Sequence, residues 1–250
     1  MKTIQQEMER LILERGRELR DKEANQTIVI DGLTNPALYE KSTLKIVFVL
    51  KEAYETDESN LESWNHTVYL NDPDFYILDK KTYPTHYVVS KIASGLLRNW
   101  LFRNHMYDKM WNNSPTDAEI LKDFQSIGWI NIGKFPAPAQ SLTSKSRLNE
   151  AYADWKDVVF AQIDAYNPDI VILGGTFDAI NDNGGFGEDN SPFGEIQYKA
   201  KEAMSKAYTD GYGRLIISTY HPSNRGSREK YVNSIIHLAR KVPFRKGIIY

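Results

Sequence analysis

Strongly apolar runs, each separated from the next by a stretch of helical periodicity, set the pattern of this chain. Leu44-Lys45-Ile46-Val47-Phe48-Val49-Leu50 is the first strong run, followed by Ile127-Gly128-Trp129-Ile130-Asn131-Ile132, Ile170-Val171-Ile172-Leu173 and Leu215-Ile216-Ile217-Ser218-Thr219. Strands buried on both faces of a parallel sheet read this way. Between them apolar residues recur at helical spacing. The spacing predicts helices over 85–102 (Val88, Val89, Ile92, Leu96, Leu97), 115–124 with Ser114 as N-cap, 148–166 ended by Asn167-Pro168, 176–180, 199–208 and 228–242. A further amphipathic helix is predicted over 3–25, on Ile4, Met8, Leu11 and Leu19. Residues 27–32 read as a short strand or extended link, and Asn35-Pro36 as a turn. Residues 56–84 read as a long aromatic, turn-rich loop or insertion, and 181–194 as a Gly/Asn/Asp-rich loop. Strands alternating with helices predict an α/β fold. The expected form is a three-layer α/β/α sandwich around a central, mainly parallel four-stranded sheet. It makes one domain over 1–250, with an N-terminal helical extension over about 1–43.

Composition narrows the picture by exclusion. The 250 residues suffice for a substantial core, and 41% hydrophobic with 26% charged residues is an ordinary globular balance. There is no cysteine, which removes disulfides, thiolate metal sites, cysteine-ligated iron–sulfur clusters and a cysteine nucleophile. The polar start, Met1-Lys2-Thr3-Ile4-Gln5-Gln6-Glu7, carries no apolar signal core, and no run reaches the roughly 18 apolar residues of a membrane span. A cytoplasmic, soluble protein without membrane contact is expected. The net charge of −2 supplies no global basic field, so a nucleic-acid partner needs a local patch. The carboxyl region offers one: Arg225, Arg228, Lys230, Arg240, Lys241, Arg245 and Lys246 against Glu229.

Candidate chemistry falls at the strand ends. In a parallel sheet the carboxyl ends of the strands share one edge, where ligands bind. Glu52 follows the first run, Asn131 lies on the second, Gly174-Gly175 closes the third and His221 follows the fourth. Pro222 holds His221 in an extended corner. An imidazole there can donate a hydrogen bond to an anion forming on a leaving group. Asn131, a poor strand former, offers a donor and an acceptor suited to the edge of a base. Glu52 can orient water or stabilise a cationic, sugar-like transition state, with Tyr54 as a pocket wall. His66, His86, His105 and His237 show no metal-site spacing, and no Walker loop, nucleophile elbow or dinucleotide fingerprint is present.

These stretches together resemble the uracil-DNA glycosylase superfamily. Val49-Leu50-Lys51-Glu52-Ala53-Tyr54 resembles its first motif, which in the iron–sulfur branch reads Gly-Glu-Ala-Pro-Gly. Trp129-Ile130-Asn131-Ile132-Gly133-Lys134 resembles the strand holding the base-reading Asn. Thr219-Tyr220-His221-Pro222-Ser223 is similar to the final His-Pro-Ser motif, and Asn167 to Gly174 resembles the linking segment of the iron–sulfur branch. The order and spacing match from about Leu44 to Val242. Three departures stand out. The four cluster cysteines are missing, Lys51 replaces a glycine, and Asn224-Arg225-Gly226 stands where some members carry a leucine wedge. The stacking aromatic is left open among Tyr54, Trp64, Tyr83 and Tyr87.

The resemblance implies base excision from DNA. The enzyme would flip a deaminated base, uracil or a relative, out of the stack and hydrolyse its N-glycosidic bond without cofactor or metal. Glu52 would handle water, His221 the departing base, and Asn131 and Tyr54 would bind the base. Ser223, Asn224, Arg225, Arg228 and Lys134 would contact DNA. Two alternatives stay open: a non-catalytic nucleic-acid or nucleobase binding module on the same fold, and hydrolysis of a small nucleoside-like substrate.

Overall fold

In the computed structural model the described residues are 3–20, 27–53, 62–72, 79, 81–99, 102–103, 106–107, 115–137, 143–182, 196–202, 204–223 and 226–247. Their elements run, in chain order, α1 (Ile4–Arg20), β1 (Ile28–Ile30), β2 (Gly32–Leu33), α2 (Pro36–Lys41), β3 (Ile46–Leu50), β4 (Ser63–Asn65), α3 (His66–Leu70), α4 (Pro84–Leu97), β5 (Phe102–Arg103), β6 (Met106–Tyr107), α5 (Asp117–Gln125), β7 (Gly128–Asn131), α6 (Lys145–Tyr166), β8 (Ile170–Gly174), α7 (Phe177–Asp182), β9 (Gln197–Glu202), β10 (Ser205–Thr209), β11 (Leu215–Thr219) and α8 (Arg228–Lys241).

The main sheet has seven strands in the order β2-β7-β3-β8-β11-β10-β9. The four apolar runs are its middle: β7, β3, β8 and β11 pair in parallel. The sheet as a whole is mixed, which corrects the expected four-stranded one. β2 adds antiparallel to β7 at one side, and the β9–β10 hairpin adds antiparallel to β11 at the other. Strand periodicity divides the core. Ile46, Phe48 and Leu50 of β3, with Ile170 and Ile172 of β8, pack with α4, α5 and α8. Val47 and Val49, with Val171 and Leu173, face the other way and pack with α1 and α6. Helices therefore cover both faces. Met8, Ile12 and Leu19 of α1 are part of this second core, and Gln5 accepts the Leu33 amide at 2.9 Å, so α1 is built into the fold.

Three local expectations are corrected. Residues 199–208 form the β9–β10 hairpin, not a helix. Asn35-Pro36 opens the short helix α2, with the Asn35 side chain capping Leu38, where a simple turn was expected. Thr116, not Ser114, caps α5, through a reciprocal box with Glu119; Ser114 itself lies outside the described residues. The predicted loop 181–194 also falls almost wholly outside them.

The connections define where a ligand can enter. The chain leaves β3 toward β7 on one side and leaves β8 toward β11 on the other, so the crevice between the carboxyl ends of β3 and β8 is a topological switch point. Gly175 sits in it with φ +73°, held by its amide to Thr219 O at 2.8 Å. A Cβ there would lie 3.1 Å from the His221 nitrogen and 3.3 Å from Lys51 Cε. Gly175→Ala should therefore destabilise the protein by about 1–2 kcal/mol, from the left-handed backbone alone. A urea midpoint unchanged from that of the parent would contradict this.

Candidate functional site

A cleft of about 1210 Å³ opens along the carboxyl edge of the parallel strands, and Glu52, Asn131 and His221 all line it. Glu52 is placed by backbone pairing that outlasts its strand. Beyond β3, the amides of Ile132 and Gly133 donate to Leu50 O and Lys51 O, both at 2.8 Å, and Ala137 donates to Ala53 O at 2.8 Å. The segment 51–53 is thus clamped to the continuation of β7. Gly133 permits the close approach, since a Cβ there would meet Glu52 Cβ at 3.3 Å. Glu52 is half-buried, and one carboxylate oxygen accepts the Thr143 hydroxyl.

Asn131 is buried at 1% exposure. The Trp129 indole, a donor only, points at its Oδ1 at 3.3 Å, which fixes the amide orientation. Nδ2 is then a buried donor without a hydrogen-bond partner. Such a group costs about 1–3 kcal/mol until something accepts from it. The Asn131 backbone N–H donates to Asp31 Oδ2 at 2.7 Å. Asp31 also accepts from the Lys134 ammonium at 2.6 Å and from Gln162 Nε2 at 3.0 Å, and the ammonium reaches Gln162 Oε1 at 2.9 Å. Lys134, expected at a DNA surface, is therefore corrected: it is wholly buried, with its charge committed to Asp31. Burial pushes its ammonium below the usual lysine value, and Asp31 opposes that shift.

His221 is half-buried at the end of β11. The Ser223 amide donates to its Nδ1 at 3.3 Å, and the Ser223 hydroxyl lies 2.8 Å from the same atom. An amide can only donate, so Nδ1 accepts and the neutral ring carries its proton on Nε2. Desolvation, helped by the Lys51 charge, lowers the imidazole to about 4. The ring is accordingly neutral near pH 7, with Nε2–H as a donor that has no partner among the described residues.

The cleft also has an aromatic wall, of which the sequence offered Trp64 and Tyr83 as stacking candidates but not His66 and His86. β1 pairs in parallel with β4, which carries Trp64 to the cleft, and His66 follows at once. His86 stacks on Trp129 at 5.0 Å, while His66 meets Trp129 at 5.5 Å and Trp64 at 5.1 Å. Burial lowers both histidines to about 3, so they act as neutral aromatic surfaces. Trp64 and Tyr83, two of the four stacking candidates, line the cleft. Tyr87 instead lies under the Arg228 guanidinium at 5.7 Å, and Tyr54 falls outside the described residues.

The expected phosphate-contacting residues divide similarly. Ser223 lines the cleft, Arg228 is engaged with Tyr87, and Asn224 and Arg225 lie outside the described residues. Arg240 binds Asn99, and Arg245 binds Asp169 and Asn167, so much of the carboxyl-terminal patch holds the fold together. The exposed cations on the cleft are instead Lys201 and Lys206 of the β9–β10 hairpin. Period-two alternation, with Ser205 and Ala207 inward and Lys206 outward, was the signal that would have found them. No group of three or more metal-binding side chains comes together among the described residues, and none of their helices is long and apolar enough to cross a membrane.

No family model matches this chain, and no curated protein matches it either.

Two measurements check this geometry. Lys134→Ala leaves Asp31 buried without its cation and should cost about 3–5 kcal/mol; a loss below 1 kcal/mol in chemical denaturation would show that the pair does not anchor the site. For His66, the folded value of about 3 lies below the ordinary 6.5. The unfolded chain therefore binds a proton that the folded chain refuses, and stability falls as pH drops from about 6.5 toward 3. His66→Phe should flatten the stability–pH curve in that window by about 1.4 kcal/mol per pH unit. An unaltered slope would place His66 in contact with solvent.

Proposed function

We propose that the protein is a DNA glycosylase that hydrolyses the N-glycosidic bond of uracil or a related deaminated base, on a uracil-DNA glycosylase-like three-layer fold. The observation that carries this reading is the convergence of Glu52, Asn131 and His221 on one cleft at the switch point. A flipped base would lie against the aromatic wall of Trp64, His66 and Trp129, and Asn131 Nδ2–H would donate to a ring carbonyl. Glu52 holds the attacking water and offsets positive charge on the sugar as the C1′–N bond breaks. The water oxygen bonds to C1′, its proton passes to Glu52, and the base leaves with the bonding pair. His221 Nε2–H donates to that anion. A neutral imidazole suits this task near pH 7 because it donates without first having to gain a proton. Exposed Lys201 and Lys206 would meet phosphates, and flipping would cost a few kcal/mol, least for a mispaired base.

The competing reading is a nucleobase-binding module without turnover. It draws on Glu52, one of whose oxygens is already occupied by Thr143.

The test is alkali-induced strand cleavage of oligonucleotides bearing uracil, hypoxanthine or xanthine. Base release is expected, and His221→Ala or Glu52→Gln should each slow single-turnover release about 100-fold or more. Asn131→Ala should weaken it and relax base choice. Release that persists in both His221→Ala and Asn131→Ala would sink the site assignment, and the absence of any released base would favour the binding module.

A further inference from the structure

Lys51 stands where the family pattern has glycine, at the heart of the cleft. Its stem lies over Gly175, with Cε 3.3 Å from where a Cβ on that glycine would be, and its charge is felt by the His221 ring. The backbone from which it springs is clamped by the Gly133 and Ala137 amides, and Gly175, with φ +73°, leaves room for the stem. No hydrogen bond or ion pair occupies the Lys51 ammonium among the described residues. Of the charged residues lining the cleft, Lys51, Lys201 and Lys206 are cationic and Glu52 and Asp178 anionic, while His66, His86 and His221 are held neutral. Around the switch point the unspent donors are Lys51 Nζ, His221 Nε2–H and the buried Asn131 Nδ2–H, and against them stands the Glu52 oxygen that Thr143 leaves open, assigned above to the attacking water.

From this arrangement we infer that Lys51 is a specificity-determining residue that turns the base site into a receptor for acidic, carbonyl-rich bases. A base with amino groups on the facing edge would set donor against donor. A base with two ring carbonyls and an acidic ring N–H presents acceptors, and as its anion it pairs with the Lys51 charge. Xanthine is such a base. Hypoxanthine has the same ring system with one carbonyl fewer and much lower acidity. The volume of about 1210 Å³ admits a purine as readily as a pyrimidine. His221 can only donate a neutral hydrogen bond, whereas Lys51 supplies charge, and between them charge discriminates more strongly inside a partly desolvated cleft. This inference deepens the glycosylase reading and rests on it for the base as ligand.

Binding of the free bases xanthine and hypoxanthine to the full chain, measured calorimetrically at neutral pH, requires no turnover and isolates the site. Xanthine should bind at least about tenfold more tightly than hypoxanthine, a factor that Lys51→Met removes and Lys51→Arg largely keeps. Equal affinities in the parent protein, or a preference that survives in Lys51→Met with its melting temperature unchanged, overturn the inference. Lys51→Gln, neutral but polar, serves as the second variant if Lys51→Met does not fold. Base release from oligonucleotides is scored separately. A Lys51-dependent preference without any release removes the glycosylase reading and leaves the anionic-base site standing. Release with no Lys51-dependent preference does the reverse.

Discussion

The buried pair between Asp31 and Lys134 is the constraint on which the rest of the site depends. Neither charge reaches solvent, and their separation of 2.6 Å is supported by Gln162 from α6. An ion pair in such a place gains little net stability over well-packed apolar residues, because desolvating both partners offsets their attraction. What it does here is geometric. Asp31 precedes β2, Lys134 follows β7, and the second Asp31 oxygen holds the Asn131 backbone N–H. One carboxylate therefore fixes where β7 ends and where its last side chain points. Through the Gly133 and Ala137 amides the same segment fixes residues 51–53. Two of the three candidate catalytic or base-reading groups hang from this network. The third, His221, is set independently by Pro222 and by the amide of Ser223.

Much of this was legible in the chain. The four parallel strands are predominantly apolar runs, with polar residues only at the ends of two of them (Asn131, and Ser218 with Thr219), and burial on both faces is what makes such runs legible. Glu52, Asn131 and His221 could be placed together because parallel strands bring their carboxyl ends to one edge, whatever their separation in sequence. Other features depended on contacts that no local pattern encodes. The segment Lys199 to Tyr208 is rich in Ala, Lys, Glu and Met, good helix formers, yet pairing with β11 makes it a hairpin. Lys134 looked like a surface cation beside Asn131, and only Asp31, 103 residues away, takes it inside. His66 and His86 looked scattered because Trp129, which joins them, comes from a different strand.

The cleft also separates two kinds of electrostatics. Its aromatic side keeps His86 neutral through burial alone, and His66 through burial helped by the nearby His86 and the Lys134 charge. Its switch-point side keeps His221 neutral through burial and through a lysine that repels a second positive charge. Lys51 thus has a role even before any ligand arrives, since it helps maintain His221 as a neutral donor. Replacing it by glycine would widen the cleft and at the same time loosen the protonation state of the histidine beside it.

The β9–β10 hairpin has a consequence outside the cleft. A seven-stranded sheet has two lateral edges, and an unpaired edge is a template for another chain. On one side the edge strand β2 is only two residues long, too short to template much. On the other, β9 forms the edge, and Lys201 stands exposed on it. A charge in that place makes strand-to-strand association of two copies unfavourable, because the incoming strand would have to bury it. The side chain that gives the cleft its positive rim thereby also guards the sheet against self-assembly, so neutralising it would trade ligand attraction and colloidal stability together.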